Sequence, residues 1–399
     1  MFDDALLKIE IRARVERLQA AMATAGFDAL IVYGNAKAKG SLTYLSGYFV
    51  DRTGWVSNGP TRDDVSIFDG AAVVVPARGE PVLLIESGHM VDLQPSIEFR
   101  GGGLTAGGGG GLTGSAVADV LGSASVARVG LENWDRFPLS LYLSMQAALP
   151  RTDFVESRLV EELRLTKSAY EVGIFEECGR VADAGHSAFV DALRGGVGKS
   201  ELELVRIADH AMRTLNPIYE DAAPCSTSKI CSGTSVLGCM LHTPLGNKLI
   251  ERGDVVNWDI CGQYRGYSID TSRTRVVGAP SAEQLAAYDV ALEMSRAVRA
   301  AMVPGAVTTD LLRLADDVAR SSGFGLWEMF LGHGIGLDCH ERPDMGIEEL
   351  VLKANMVITV EPRIALDGRF LLANEDMVLV TDKGGIAFGS FPREPLALV

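Results

Sequence analysis

The chain has 399 residues, 47% of them hydrophobic, and carries 52 acidic against 37 basic side chains, a formal net charge of -15. That length suggests two or three domains with room for a sizeable core. The acidic excess argues against a nucleic-acid-binding surface, which needs clustered Lys and Arg, and it supplies no polybasic patch for anionic lipid. The N-terminal stretch is charged throughout, without a signal-peptide core, and no apolar run reaches transmembrane length. Cys178, Cys225, Cys231, Cys239, Cys261 and Cys339 form no CxxC pair. They read as free thiols in a reducing cytoplasm.

In chain order, residues 5–25 show helical spacing (Leu6, Ile9, Ile11, Val15, Leu18, Met22) and stop at Gly26. The run 29–33 predicts a buried strand, with others at 71–75, 81–85 and 126–131 and a helix over 139–149. Strands alternating with helices predict a small α/β domain. The stretch from Arg52 to Asp64, with its lone Trp55, reads as a long polar loop: an ordinary connector or one that faces a substrate. The Gly-rich stretch from Gly101 to Gly114 lacks the GK[ST] ending of a phosphate loop and opens no clear helix, so it reads as a surface excursion.

The character changes at about residue 155. From Val160 the pattern is helical to about Leu193, and Gly195-Gly196 breaks it. Ser200 and Glu203 form a capping box that opens a second helix ending near Leu215. Arg206-Ile-Ala-Asp209 in that helix is echoed by Arg313-Leu-Ala-Asp316, 107 residues on, again after a long helix (282–302) and a Gly-containing break. The second half therefore reads as two copies of a helix–helix–strands unit.

The stretch from Gly253 to Gly278 reads as a β-hairpin with one aspartate on each strand, Asp259 and Asp270. Acids are unfavourable in mid-sheet. They sit there on a solvated face, or buried when paired or bound to a metal. Three further signals follow. Gly332-His-Gly-Ile-Gly336 flanks His333 with glycines that let backbone pass close to a ligand, and a tight turn around a core histidine would read the same way. An apolar strand over 356–362 ends in Glu361, and another over 371–381 holds Glu375 within it. Four carboxylates and one imidazole suit divalent Mn, Fe, Co or Zn. They would repel one another strongly without cations. Two divalent ions about 3.5–4 Å apart would neutralise them and activate a water.

At this point the chain resembles the pita-bread metallopeptidases: methionine aminopeptidase, prolidase, Xaa-Pro aminopeptidase and their metal-free relative creatinase. The family's ligand order Asp, Asp, His, Glu, Glu falls on Asp259, Asp270, His333, Glu361 and Glu375. The resemblance covers the whole chain. It implies an α/β (α+β) protein with a creatinase-like N-terminal domain (1–155) and an internally duplicated pita-bread catalytic domain (156–399). It also implies two divalent metal ions and a homodimer. His242, in Leu-His-Thr-Pro, matches the family's substrate-facing histidine, and His340, in His-Glu-Arg-Pro343, matches that of the prolidase branch. Glu361 would also move the proton to the leaving nitrogen. His89, His186 and His210 match nothing. One departure stands out: where prolidases usually carry an arginine two residues before the last glutamate, this chain has Ala373. An arginine there would organise charge around ligand and substrate.

The resemblance implies a metal-dependent hydrolase of a small amide or peptide bond, most of all an Xaa-Pro dipeptide. Ala373 and the Trp55 stretch keep open a hydrolase of a non-peptide C–N bond, or a lyase of a small zwitterion, on the same fold. A binding module without activity is the third reading, and the complete set of five ligands opposes it.

Overall fold

The structure, a computed structural model, describes residues 4–35, 37–48, 55–58, 65–68, 70–85, 98–101, 112–122, 126–194, 197–215, 228–233, 247–327, 330–366 and 370–398. Contacts divide the chain into two compact units, Met1–Arg164 and Leu165–Val399.

The first unit opens with α1 (Asp4–Ala25), closed by Gly26 at φ 73°. Next come β1 (Ala29–Asn35) and α2 (Gly40–Ser46). The helix α2 is buried along its length and ends on left-handed Gly47. Then follow β2 (Trp55–Asn58), β3 (Val65–Phe68), β4 (Gly70–Pro76), β5 (Val82–Ile85) and β6 (Glu98–Gly101). The unit closes with α3 (Gly114–Leu121), β7 (Arg128–Glu132), α4 (Leu139–Ala148), β8 (Asp153–Glu156) and α5 (Leu159–Leu165). Six strands form one mixed sheet in the order β6-β5-β4-β1-β7-β8. Its centre, β1, is buried on both faces, which is why its sequence is continuously apolar rather than alternating.

Two expectations change in this unit. The polar stretch around Trp55 is not wholly loop: β2 pairs antiparallel with β3, and residues 52–54 and 59–64 lie outside the described residues. The Gly-rich stretch does lead into a helix. Thr113 caps α3, its Oγ1 accepting the Ala116 N–H at 3.1 Å, and 102–111 lie outside the described residues.

The second unit begins with α6 (Ala169–Arg194) and α7 (Glu201–Leu215), followed by β9 (Lys229–Ser232), β10 (Val255–Tyr264) and β11 (Tyr267–Val277). Then come α8 (Ala282–Ala301), α9 (Thr308–Ser321), β12 (His333–Gly334), β13 (Glu341–Asp344) and β14 (Val357–Val360). Last are β15 (Arg363–Leu366), β16 (Phe370–Ala373), β17 (Asp376–Thr381), β18 (Gly384–Ala387) and β19 (Ala397–Leu398). One sheet runs β19-β11-β10-β9, and a second runs β13-β12-β14-β17-β18. Each has its helix pair, α6 with α7 and α8 with α9. The second helices of the two pairs open at Glu201 and Thr308 and so keep the offset of 107. The capping box at Ser200 is present: Glu203 Oε2 accepts the Ser200 N–H at 2.7 Å, and Ser200 Oγ accepts the Glu203 N–H at 3.2 Å.

The long helix expected from Val160 is broken in two. Ser168 and Glu171 form their own reciprocal cap, Ser168 N–H to Glu171 Oε2 at 2.9 Å and Glu171 N–H to Ser168 Oγ at 3.3 Å, and restart the helix as α6. The strand expected to run through Glu375 is also broken. β16 pairs with β15 and β17 pairs with β14, so Asn374 and Glu375 form the step between two sheets. The core lies between α8, α9 and the second sheet and includes Tyr288, Leu292, Val298, Leu311, Ile358, Val360 and Val378. Full burial of each aliphatic chain contributes about 1.5–3 kcal/mol over exposure. No helix among the described residues is long and apolar enough to cross a membrane.

Candidate metal centre

The hairpin β10–β11 turns through Arg265 and Gly266, both at positive φ (52° and 80°), the pairing a two-residue hairpin loop prefers. Its register sets Asp259 opposite Ser272 and Cys261 opposite Asp270. Alternate residues of a strand share a face, so Asp259 and Cys261 point the same way and meet Asp270 from the facing strand. One ligand atom from each of the three lies within 4.8 Å of the other two. The Cys261 thiol donates to Asp270 Oδ1 at 3.7 Å and the Cys339 thiol to Asp270 Oδ2 at 3.1 Å. On its other side Asp259 pairs across the sheet with Lys229, whose Nζ lies 3.4 Å from Oδ2. Asp259 Oδ1 is buried with no hydrogen-bond partner among the described residues.

His333 enters from β12. A Cβ on Gly332 would overlap the Thr359 carbonyl and one on Gly334 the Arg342 carbonyl, so only glycine lets this strand lie so close to its neighbours. The His333 Nδ1–H donates to the Gly334 carbonyl at 3.0 Å, which leaves the Nε2 lone pair free. That Nε2 lies 3.6 Å from Asp270 Oδ2 and 3.8 Å from Glu361 Oε1. His333, Glu361 and Glu375 form a second buried triad of ligand atoms within 4.8 Å. Glu375 arrives at the step between sheets, held by reciprocal backbone bonds with Ser272 at 3.0 and 3.3 Å.

The electrostatics are those of a site short of positive charge. Burial, and then the neighbouring Asp259, push the Asp270 carboxyl well above its usual range. Burial, then Asp270 and Asp259, do the same to Glu375. Burial, then the adjacent His340, push His333 down to about 3, so its imidazole is neutral and fit to ligate. Burial and the acids around it also push the Cys261 thiol up. Burial disfavours the charge on Lys229, but Asp259, Cys261, Asp270 and Glu375 outweigh it and hold the ammonium firmly protonated. Lys229 and, at Glu361, Arg363 are two cations against four carboxylates.

Of the predicted site residues, Asp259, Asp270, His333, Glu361 and Glu375 come together. His340 joins them with its ring 4.1 Å from that of His333, its side chain exposed. His242 lies outside the described residues. His186 is a core residue: Trp258 Nε1–H donates to its Nδ1 at 2.9 Å, and its Nε2 meets Thr271 Oγ1 at 2.9 Å. The cysteines are not all free. Cys178, Cys261 and Cys339 stand outside disulfides, but Cys231 is disulfide-bonded. Spacing in sequence does not report this, because a disulfide depends on the approach of two Cβ atoms in space.

Sequence reasoning passes over Lys229, Cys261 and Arg363. Arg363 stands directly across from Ala373 in the β15–β16 pair, and its guanidinium grips the Glu361 carboxylate. The cross-strand pair that lacks an arginine at 373 therefore carries one at 363. The signal was local: Arg363 is two residues past Glu361, in Glu-Pro-Arg.

A sequence profile of metallopeptidase family M24 matches residues 173–382. The chain belongs to metallopeptidase family M24. A profile of the creatinase/prolidase N-terminal domain matches 14–166. Over 240 residues the chain is 32% identical to the Xaa-Pro dipeptidase of Pyrococcus furiosus, covering 60% of this chain and 67% of that one. It is 25% identical over 388 residues to the uncharacterized peptidase YqhT of Bacillus subtilis, covering 96% and 100%. Among solved structures, the dipeptidase PepE from Mycobacterium ulcerans superposes with a TM-score of 0.78 at 25% identity, over 100% of this chain and 99% of that one. The prolidase from Pyrococcus horikoshii OT3 superposes with a TM-score of 0.76 at 23% identity, over 96% and 99%. The fold is thus the pita-bread fold with a creatinase-like N-terminal domain, and the M24 protein is a metal-dependent peptidase using divalent metal. The donors fit such a group: buried carboxylates outnumber the cations beside them, Asp259 Oδ1 has no partner among the described residues, and His333 Nε2 is free to ligate.

Proposed function

We propose that this M24 protein is an Xaa-Pro dipeptidase-like hydrolase of small peptides. In this reading Asp259, Asp270, His333, Glu361 and Glu375 hold two divalent cations, Mn, Co, Fe or Zn. The observation that supports it is a run of linked ligand groups, Asp259 with Asp270, Asp270 with His333, and His333 with Glu361 and Glu375, in which Asp259 Oδ1 has no hydrogen-bond partner among the described residues. Bound there, divalent cations supply Lewis-acid chemistry, polarising a carbonyl and making water nucleophilic near neutral pH.

The chain's own residues do the rest. The His333 tautomer, fixed by Gly334, keeps Nε2 pointed at the carboxylates. Glu361, steadied by Arg363, takes a proton from the attacking water and passes it to the leaving nitrogen as the peptide bond breaks. His340, exposed beside His333, and His242 bind the substrate and face the charge that develops on its carbonyl oxygen. Small peptides sharing a C-terminal carboxylate would present it to arginine, and Arg363 is the arginine next to the catalytic carboxylate. The protein acts as a homodimer in this reading, and light scattering that returns a monomer mass would remove that element.

The test is hydrolysis of an Xaa-Pro dipeptide panel by protein loaded with Mn or Co, with metal content measured on the same sample. Cleavage with two metals per chain is the expected result, and Asp259→Ala or Glu361→Ala should abolish both metal binding and turnover. Full activity in either variant overturns the reading. Ala373 favours a second reading, a small amide or zwitterion as substrate, which predicts two bound metals and no dipeptide cleavage.

A further inference from the structure

The thiol of Cys261 lies inside the donor set, and the proposed function gives it no role. Its position is dictated by the sheet. Cys261 is two residues from Asp259 on β10, hence on the same face, and it is the cross-strand partner of Asp270. Its sulfur is buried, 3.7 Å from Asp270 Oδ1, and within 4.8 Å of a carboxylate oxygen of Asp259. A thiol is a weak hydrogen-bond donor, so a merely structural contact with a carboxylate gains little.

The spacing suits coordination. Metal–sulfur and metal–oxygen bonds of about 2.3 and about 2.0 Å, at a tetrahedral angle, put sulfur and oxygen about 3.5 Å apart. The observed 3.7 Å matches that edge. The second thiol nearby, Cys339, reaches the other oxygen of Asp270 and is not part of the compact ligand groups among the described residues.

We propose that Cys261 is a thiolate ligand of the metal ion held by Asp259 and Asp270, and that the site therefore favours borderline ions such as zinc and cobalt over manganese. The inference rests on the metal centre proposed above. Coordination replaces the S–H bond by a sulfur–metal bond and releases the proton to solvent. A thiolate is a softer donor than carboxylate or imidazole, and it tilts the selection toward zinc and cobalt.

The experiment uses full-length protein stripped of metal and titrated with cobalt(II), read by absorption. Visible d–d bands report that cobalt has entered the centre; a near-ultraviolet thiolate-to-cobalt charge-transfer band reports sulfur bound to it. Both are expected in the unmodified protein. Cys261→Ser should keep the d–d bands and lose the charge-transfer band, while Cys339→Ser should keep both. Cys261→Ala, with circular dichroism as a check on folding, replaces the serine variant if that fails to fold. In zinc–manganese competition, Cys261→Ser should move the preference toward manganese by about tenfold or more, at least the loss typical of removing an outer partner of a ligand. Bound cobalt with no charge-transfer band overturns the thiolate and leaves the carboxylate centre standing. A band that survives Cys261→Ser and vanishes in Cys339→Ser assigns the sulfur to Cys339 and overturns the inference. Protein that takes up no cobalt overturns the centre, and the inference with it.

Discussion

Glu375 and Asp376 are neighbours in sequence, both fully buried, and opposite in electrostatic fate. Asp376 points to a side where the chain supplies its own cations. Arg273 donates to Oδ1 at 3.0 Å and Arg393 to Oδ2 at 2.6 Å. Burial opposes its charge, but Arg273 and Arg393 outweigh that and hold its carboxyl below the usual range. Glu375 points the other way, toward Asp270 and Asp259, and is pushed well above. Arg273 links the two, because its other Nη donates to the Glu375 backbone carbonyl at 2.7 Å. A buried acid that the chain satisfies is part of the scaffold. A buried acid that the chain leaves unsatisfied is a request for an external cation.

The largest effect should come from breaking the unsatisfied side. Glu375→Gln removes one of the proposed ligands and one repelling charge. Turnover should be lost, while the metal-free protein becomes more stable than the unmodified one, the usual opposition between function and stability. Saturating metal at about 100 times Kd stabilises the unmodified protein by about 2.7 kcal/mol, and that increment should be absent from the variant. Thermal unfolding with and without metal checks both signs. An equal increment in the variant would contradict the role given to Glu375.

Breaking the satisfied side should act on stability first. Asp376→Ala leaves Arg273 buried without its ion-pair partner, and removing one member of a buried pair costs about 3–5 kcal/mol. Chemical denaturation measures it. A loss below about 1 kcal/mol would mean that backbone carbonyls alone satisfy Arg273.

A third buried acid, Glu132 in the N-terminal unit, sharpens the comparison. Among the described residues it has hydrogen bonds and no cation: Ser157 Oγ–H and the Val160 N–H both reach Oε1, at 2.8 and 3.0 Å, while Oε2 is buried and unpaired. Burial raises it from 4.5 to about 7, against the lowering by those bonds. Between these two values the folded state holds more protons than the unfolded state, so stability falls as pH rises from about 4.5 to about 7. The swing corresponds to about 3 kcal/mol at about 1.4 kcal/mol per unit. Glu132→Gln should flatten that part of the profile, seen as a difference in unfolding free energy between variant and parent across the window. An unchanged slope would show that Glu132 is ionised throughout.

Much of this protein was legible in the chain itself. Apolar period and caps give the central strands and most helices: the run 29–33, the Ser200 box, the repeat at 107 residues. The five candidate ligands are legible for the same local reason, since each is an acid or imidazole where a buried strand or a Gly-rich crossing would otherwise be apolar. The rest depends on partners that periodicity does not encode. The break at Glu375 arises because β16 and β17 take different neighbours, Arg363–Leu366 and Val357–Val360. Asp376 is paired by Arg273, 103 residues away, and Ala373 is faced by Arg363 across a hairpin. Cys261 looks like another buried apolar position until the register sets it against Asp270. Sequence determines which side chains a strand offers to each face, because that follows from a two-residue period. Only the tertiary structure decides which charges meet there, because a buried charge is compensated through space.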